Sequence, residues 1–235
     1  MRWIALLAAI LLAGCVTTTE DSSPNEPVNT RSSTTIKKPT SSQIARFRQV
    51  VARVEPVAER YCRNNTQGAN CDFRIVVDDR PNLPPNAYQT LDRNGRPILA
   101  FTPALIADVR NSDEIAFILS HEAAHHVRGH IPRQQQNATV GALVIGSLAG
   151  ILGGGSGAVQ SAANVGASVG ARTYSKDFEL EADATGTVIA KRAGYNPVRG
   201  AEYFNRIPDP GNVFLGTHPP NQQRIETVRR TAAKL

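Results

Sequence analysis

The segment Leu119-Ser120-His121-Glu122-Ala123-Ala124-His125-His126 sets the strictest limit on how this chain folds. Two histidines stand four residues apart, with a glutamate after the first and two alanines between. Alanine favours helix and leaves little bulk beside the backbone. On a helix, residues four apart differ by about 40° around the axis, so His121 and His125 present their imidazoles to one point. Glu122 lies about 100° from His121, close to that point but not aimed at it. Convergent imidazoles suit zinc, and the adjacent carboxylate suits a base acting on water beside the metal. The segment must therefore be helical, and the chain must bring a further ligand to it.

A catalytic zinc takes three protein ligands as a rule. His126 and His130 are the nearby histidines, but His130 falls about 180° around the helix from His121 and cannot share its metal unless the helix breaks. The metzincin spacing also fails, because Arg128 and Ile131 stand where it needs glycine and histidine. Glu179 and Asp183 are four apart in a later helical stretch and hence on one face. Glu179 can bind the metal, while Asp183 accepts the free ring N–H of a ligating histidine. Glu181 faces the other way and is expected to be solvated.

The N-terminus carries Met1-Arg2-Trp3-Ile4, a short apolar run, and then Leu12-Ala13-Gly14-Cys15. The run is shorter than the ~20 residues of a membrane span and looks like a signal peptide over residues 1–14. The last four residues resemble a bacterial lipobox, which implies an acylated Cys15. Val16 rather than Asp follows, which points to the outer membrane. Residues 15–42 are rich in Thr, Ser, Pro and Asn with almost no large apolar residue, the composition of a flexible tether. Two cysteines remain, Cys62 and Cys71. In an oxidising compartment they are expected to form a disulfide worth about 2.5–3 kcal/mol in the chain-entropy model.

The domain is expected over residues 43–235. Helical spacing runs from Gln43 to Arg63, with Pro56 predicting a kink or two shorter helices. Strands are expected at Phe73–Val77, near Ala87–Thr90, and at Pro97–Phe101, the last two joined through a hairpin at Asn94-Gly95. Pro97 argues for an edge strand, and an exposed edge can accept an extended peptide. Thr102-Pro103 opens a short helix to about Arg110, and Asn111 or Ser112 caps the histidine helix. A further helix is expected from Tyr174 to Arg192, a short one near Val198–Asn205, and a last one from Asn221 to Ala233. Residues 134–171 contain no charged side chain. They are expected to form a hairpin of two small-residue helices, or alternatively an insert that dips into a membrane. The fold class expected is α+β, mainly α, with a small antiparallel sheet beside the histidine helix.

Net charge is +6, yet no run of Lys and Arg exceeds two and aromatics are 6%. Nucleic-acid binding is therefore not expected.

Taken together, His121-Glu122-Ala123-Ala124-His125 ending in His130, Glu179-Leu180-Glu181-Ala182-Asp183, Ala193-Gly194-Tyr195-Asn196-Pro197 and Thr217-His218-Pro219-Pro220 come in a characteristic order. The chain in this respect resembles the HtpX/CAAX-prenyl-protease family of zinc metallopeptidases, and in particular its periplasmic lipoprotein members, over roughly residues 86–229. The resemblance implies a zincin-like domain with His121, His125 and Glu179 as zinc ligands, Glu122 as general base and Asp183 as an outer acid. It also matches His218 and Arg224 to the family's C-terminal segment. His218 is then either a donor to the developing oxyanion or a fourth zinc ligand that keeps the enzyme latent. The stretch Gln89–Arg96 departs from relatives, which run through a Gly-rich turn, so substrate preference does not transfer. The function implied is a zinc-dependent endopeptidase of the bacterial cell envelope, anchored to the outer membrane through Cys15 and facing the periplasm. Its substrates would be misfolded or misassembled envelope polypeptides, with the envelope assembly machinery as a candidate partner. The alternative is a non-catalytic zinc lipoprotein acting as a chaperone or assembly factor for outer-membrane proteins.

Overall fold

A computed structural model of the chain describes residues 38–173, 175–212 and 218–235. The expected signal peptide 1–14, the acylation site Cys15 and most of the tether lie outside the described residues, as do Tyr174 and Thr217.

Helix α1 spans Ser41–Asn65. Thr40 accepts the Gln43 N–H, and the Gln43 side chain accepts the Thr40 N–H, a reciprocal cap. This cap places the start of the folded domain at Thr40, slightly before the expected tether boundary. The helix continues through Pro56 as one element, not two. Its buried face, Phe47, Val50, Val54, Ala58 and Cys62, enters the main core. Cys62 at its end is disulfide-bonded to Cys71, with Cα atoms 5.7 Å apart.

Three strands follow: β1 (Arg74–Val77), β2 (Ala87–Leu91) and β3 (Pro97–Phe101). The order is β1-β3-β2, with β3 parallel to β1 and antiparallel to β2. The sheet is thus mixed rather than antiparallel, and β3 is central rather than an edge. The register explains how a central strand tolerates Pro97. Pairing with β1 begins at Ile98, so Pro97 faces only Leu91 of β2 and interrupts no ladder on its other side. The β2–β3 turn closes as expected at Gly95, where φ is +76° and its N–H donates to the Asp92 carbonyl.

Short helix α2 (Pro103–Asp108) is capped by the Thr102 hydroxyl, which accepts the Leu105 N–H. Helix α3 (Ser112–Val127), the histidine helix, starts at Asn111, whose side chain accepts the Glu114 N–H. Its first turn is pinned by an ion pair: both guanidinium nitrogens of Arg206 reach the Glu114 carboxylate at 2.7 and 2.8 Å. Because α3 runs through the core, eleven of its sixteen residues are buried, and it packs on helices rather than facing water. Gly129 (φ +63°) breaks the helix in the left-handed region and redirects the chain into α4 (His130–Ile151).

Helices α4 and α5 (Ser156–Thr173) form the small-residue hairpin expected for residues 134–171. A Cβ added at Gly141 would fall on the Gly166 carbonyl, and one at Gly146 would meet Ala163 at 3.1 Å. The glycines therefore set the separation of the two helices. The outer face is apolar and exposed, including Leu143, Leu148, Ile151 and Leu152. No helix among the described residues is long and apolar enough to cross a membrane.

Helix α6 (Ser175–Arg192) returns beside α3, followed by α7 (Pro197–Gly200), a 3-10 turn at Ala201–Asn205, and α8 (Asn221–Ala232). The α3–α6 contact is closest at Gly186. A Cβ there would stand 2.9 Å from the His121 nitrogen and 3.0 Å from its Cα. Gly186→Ala should therefore destabilise the fold by about 1–3 kcal/mol through overpacking. By contrast Gly157→Ala, at an α5 position with open space, should leave stability unchanged or slightly raised. Denaturant melts of the two variants beside the wild type check this; equal behaviour would mean the helices are not in close contact at Gly186.

Candidate metal centre

His121 and His125 leave α3 one turn apart, on the face that α6 covers. Their Nε2 atoms lie 3.0 Å from each other. Across from them, Glu179 from the first turns of α6 places one carboxylate oxygen 3.3 Å from His125 Nε2 and the other 3.6 Å from His121 Nε2. One donor atom from each of the three residues lies within 4.8 Å of the others. Two imidazole nitrogens and a carboxylate oxygen suit zinc, whose ligand distances of about 2.0–2.2 Å span such a cluster.

Asp183, one turn after Glu179 and fully buried, accepts from His121 Nδ1 at 2.9 Å. That contact leaves Nε2 of His121 as the lone-pair nitrogen facing the other donors. Arg224 of α8 holds Asp183 with two hydrogen bonds of 2.7 and 2.8 Å and reaches Glu179 at 3.3 Å. Its guanidinium lies 4.0 Å from the Phe204 ring centre, which closes the site from behind.

The electrostatics ask for a cation. Glu122, Glu179 and Asp183 are all buried carboxylates, and Arg224 is the buried guanidinium among them. Three negative groups against one positive leave a formal deficit that a dication would cancel. Burial opposes charge on His121, yet contacts with Asp183 and Glu179 more than offset it and push the imidazole up to about 10. Burial also works against the Glu179 carboxylate, and contacts with His121, His125 and His218 hold it well below the usual range all the same.

Glu122 is 8% exposed. No hydrogen bond or ion pair to it occurs among the described residues, and it stands outside the metal-binding group. Its oxygens are not among the buried polar atoms that lack a partner, and the nearby Arg224 supplies an opposite charge. A carboxylate that keeps contact with water next to the histidines suits a base.

His218 comes from the loop before α8. Its side chain is exposed, and Nδ1 stands 3.2 Å from a Glu179 oxygen. The structure thus brings it to the rim of the site but not into the three-residue cluster. His126, the other nearby histidine, points away and contacts the Asn70 carbonyl at 2.8 Å, next to the disulfide.

Two residues have contacts the sequence did not show. Glu181, expected to be solvated, has a side chain 31% exposed, and it is also hydrogen-bonded by Arg133 at 2.6 Å and lies 3.1 Å from His130 Nε2. His130, expected to stay off the metal unless the helix breaks, is outside the ligand group, although the break at Gly129 does turn it back toward His125. Its Nδ1 lies 2.8 Å from Nδ1 of His125. Burial and the nearby His125 push His130 down to about 4 against the pull of Glu181, so it is neutral near pH 7. The available signal was the glycine at position 129.

Comparison with known proteins agrees with this geometry. The family model described as peptidase family M48 matches residues 45–232, a wider span than the motifs alone suggested. The mitochondrial metalloendopeptidase OMA1 of Saccharomyces cerevisiae is 28% identical over 177 residues, covering 71% of this chain. The matched region is 48% of OMA1, so the chain spans about half the length of that relative.

The site predicts one zinc per chain. Glu179→Ala should lower bound zinc sharply, whereas Glu122→Gln should leave it near the wild-type level. Metal analysis of the purified variants checks both; loss of zinc in the Glu122 variant would place that residue among the ligands.

Proposed function

The chain belongs to peptidase family M48, whose members are zinc metallopeptidases, and we propose that it hydrolyses internal peptide bonds of polypeptides in the bacterial cell envelope. The observation that carries this reading is Glu122. It is buried beside the two histidine donors and makes no hydrogen bond or ion pair among the described residues. A site that used zinc only for structure would need no such group.

Zinc, when bound, lowers the pKa of a water from 15.7 to ~7 and polarises the scissile carbonyl. The remaining work belongs to side chains of this chain. Glu122 takes the proton of the attacking water and then delivers it to the leaving amine. Glu179 and His121 stay fixed because Asp183 and Arg224 hold them from behind. On this reading His218, exposed at the rim with its Nδ1 3.2 Å from Glu179, is the donor to the substrate oxyanion. The edge strand beside α3 is β2, not β3. An extended substrate can pair along its free edge and lie across the site.

The envelope location rests on the N-terminal sequence, where Leu12-Ala13-Gly14-Cys15 follows a short apolar run. The Cys62–Cys71 disulfide accords with an oxidising compartment. Cys15 would then carry the lipid anchor to the outer membrane, and misfolded or misassembled envelope proteins would be the substrates within reach.

Turnover of casein and of a short unstructured peptide tests the chemistry. Glu122→Gln should reduce the rate by about 10²–10⁴-fold at normal zinc content, and an unchanged rate would refute the peptidase reading. His218→Ala should cost about 10²–10³-fold; a faster variant would instead identify His218 as a fourth ligand that restrains the site. Cell fractionation tests the anchor. Cys15→Ser should release the protein from membranes, and continued association would assign anchoring to the exposed face of α4 and α5.

A further inference from the structure

The two zinc-facing imidazoles are held in different ways, and the difference involves residues that the peptidase reading leaves unused. His121 is oriented directly: its Nδ1 meets Asp183, and Asp183 is held by Arg224. His125 has no carboxylate at its Nδ1. It meets instead the Nδ1 of His130 at 2.8 Å, and the other nitrogen of His130 lies 3.1 Å from the Glu181 carboxylate. Glu181 is in turn bound by Arg133 at 2.6 Å, with Arg128 at 3.7 Å.

We propose that Glu181, acting through His130, is the positioning carboxylate of His125. Each zinc-facing imidazole is then oriented by its own carboxylate, and each carboxylate by its own arginine. This inference rests on the zinc site described above but not on the chemistry performed there.

The proton count along the chain allows one arrangement once Nε2 of His125 gives its lone pair to a metal. Nδ1 of His125 then carries the proton and donates it to Nδ1 of His130. His130, accepting at Nδ1, carries its own proton on Nε2 and donates to Glu181. Glu181 is the acceptor at the end, and Arg133 keeps it charged and in place. Each contact has one donor and one acceptor, so none is frustrated.

The local fold explains why an extra imidazole is needed. Asp183 sits one turn from Glu179 on the buried face of α6, directly against His121. Glu181 is rotated about 200° from Glu179 and lies too far around α6 to reach His125 itself. The break at Gly129 turns the chain so that His130 fills the gap. Its ring is clamped there by stacking on Phe178, with centroids 4.6 Å apart and planes 8° from parallel. Arg133 also lies over the Phe178 ring, 4.3 Å from its centre. His130 is 4% exposed, so its orientation is fixed by packing before any metal arrives.

The test is zinc affinity of the full chain, measured by chelator competition, with the stability of the zinc-free protein measured alongside. His130→Leu removes the acceptor, whereas His130→Asn keeps an amide oxygen near the position of Nδ1. The leucine variant should bind zinc about 10–100-fold more weakly, and the asparagine variant should recover most of that loss. Glu181→Gln should lie between them. Nitrogen-15 NMR of the zinc-loaded protein should show a protected proton on Nδ1 of His125 in the wild type and in His130→Asn, but not in His130→Leu. Equal weakening by leucine and asparagine would overturn the proposal, as would a loss of affinity that merely follows the loss of stability. An unchanged zinc affinity in His130→Leu would overturn the relay. The expected order of affinities without peptide cleavage by the wild type would defeat the peptidase reading and leave the relay standing.

Discussion

The contact between Gly186 of α6 and the backbone of His121 on α3 is the constraint on which the site depends. With a Cβ at position 186, the gap to the His121 nitrogen would be 2.9 Å, so any other residue would force the two helices apart. The ligand oxygens of Glu179 lie only 3.3 and 3.6 Å from the histidine nitrogens. A shift of even an ångström would spoil the geometry that a tetrahedral metal requires. The core residues on both helices, among them Leu119, Ala123 and Ile189, press the helices together. The glycine decides how closely they can meet.

Around that contact the molecule gathers an unusual amount of buried charge. Such charge is costly unless paired, and here the pairing is layered. Arg224 on α8 holds Asp183 on α6, and Asp183 holds His121 on α3. Nearer the surface, Arg133 on α4 holds Glu181 on α6, which reaches His130 at the start of α4. The imidazoles and Glu179 then enclose one point with donors, and Glu122 stands outside that ligand group. A separate pair, half-buried Arg206 with buried Glu114, pins the start of the same helix as His121. Function and stability thus draw on one arrangement, in which the metal supplies the positive charge that the side chains lack.

Much of this was legible in the sequence because the signals were local. Asn111 and the acidic first turn marked the start of α3, Thr102-Pro103 marked α2, and Gly194 to Pro197 ended α6 within a residue of expectation. The spacing of Glu179 and Asp183 carried the ligand and its partner for the same reason. The misreadings concern relations between elements. Strand order is non-local, so nothing near Pro97 showed that β1 would pair with β3 one residue further along. His130 stays out of the ligand group, as expected, and Glu181 stays partly exposed. What the sequence did not show is that the chain after Gly129 would set His130 against His125 and Arg133 against Glu181.

X-ray absorption at the zinc edge of the purified, zinc-loaded chain tests the central claim most directly. The account predicts a first shell of two imidazoles with oxygen ligands at about 2.0–2.2 Å and no sulfur, and loss of one oxygen contribution in Glu179→Ala. A shell containing thiolate, or one without paired imidazole scattering, would contradict it.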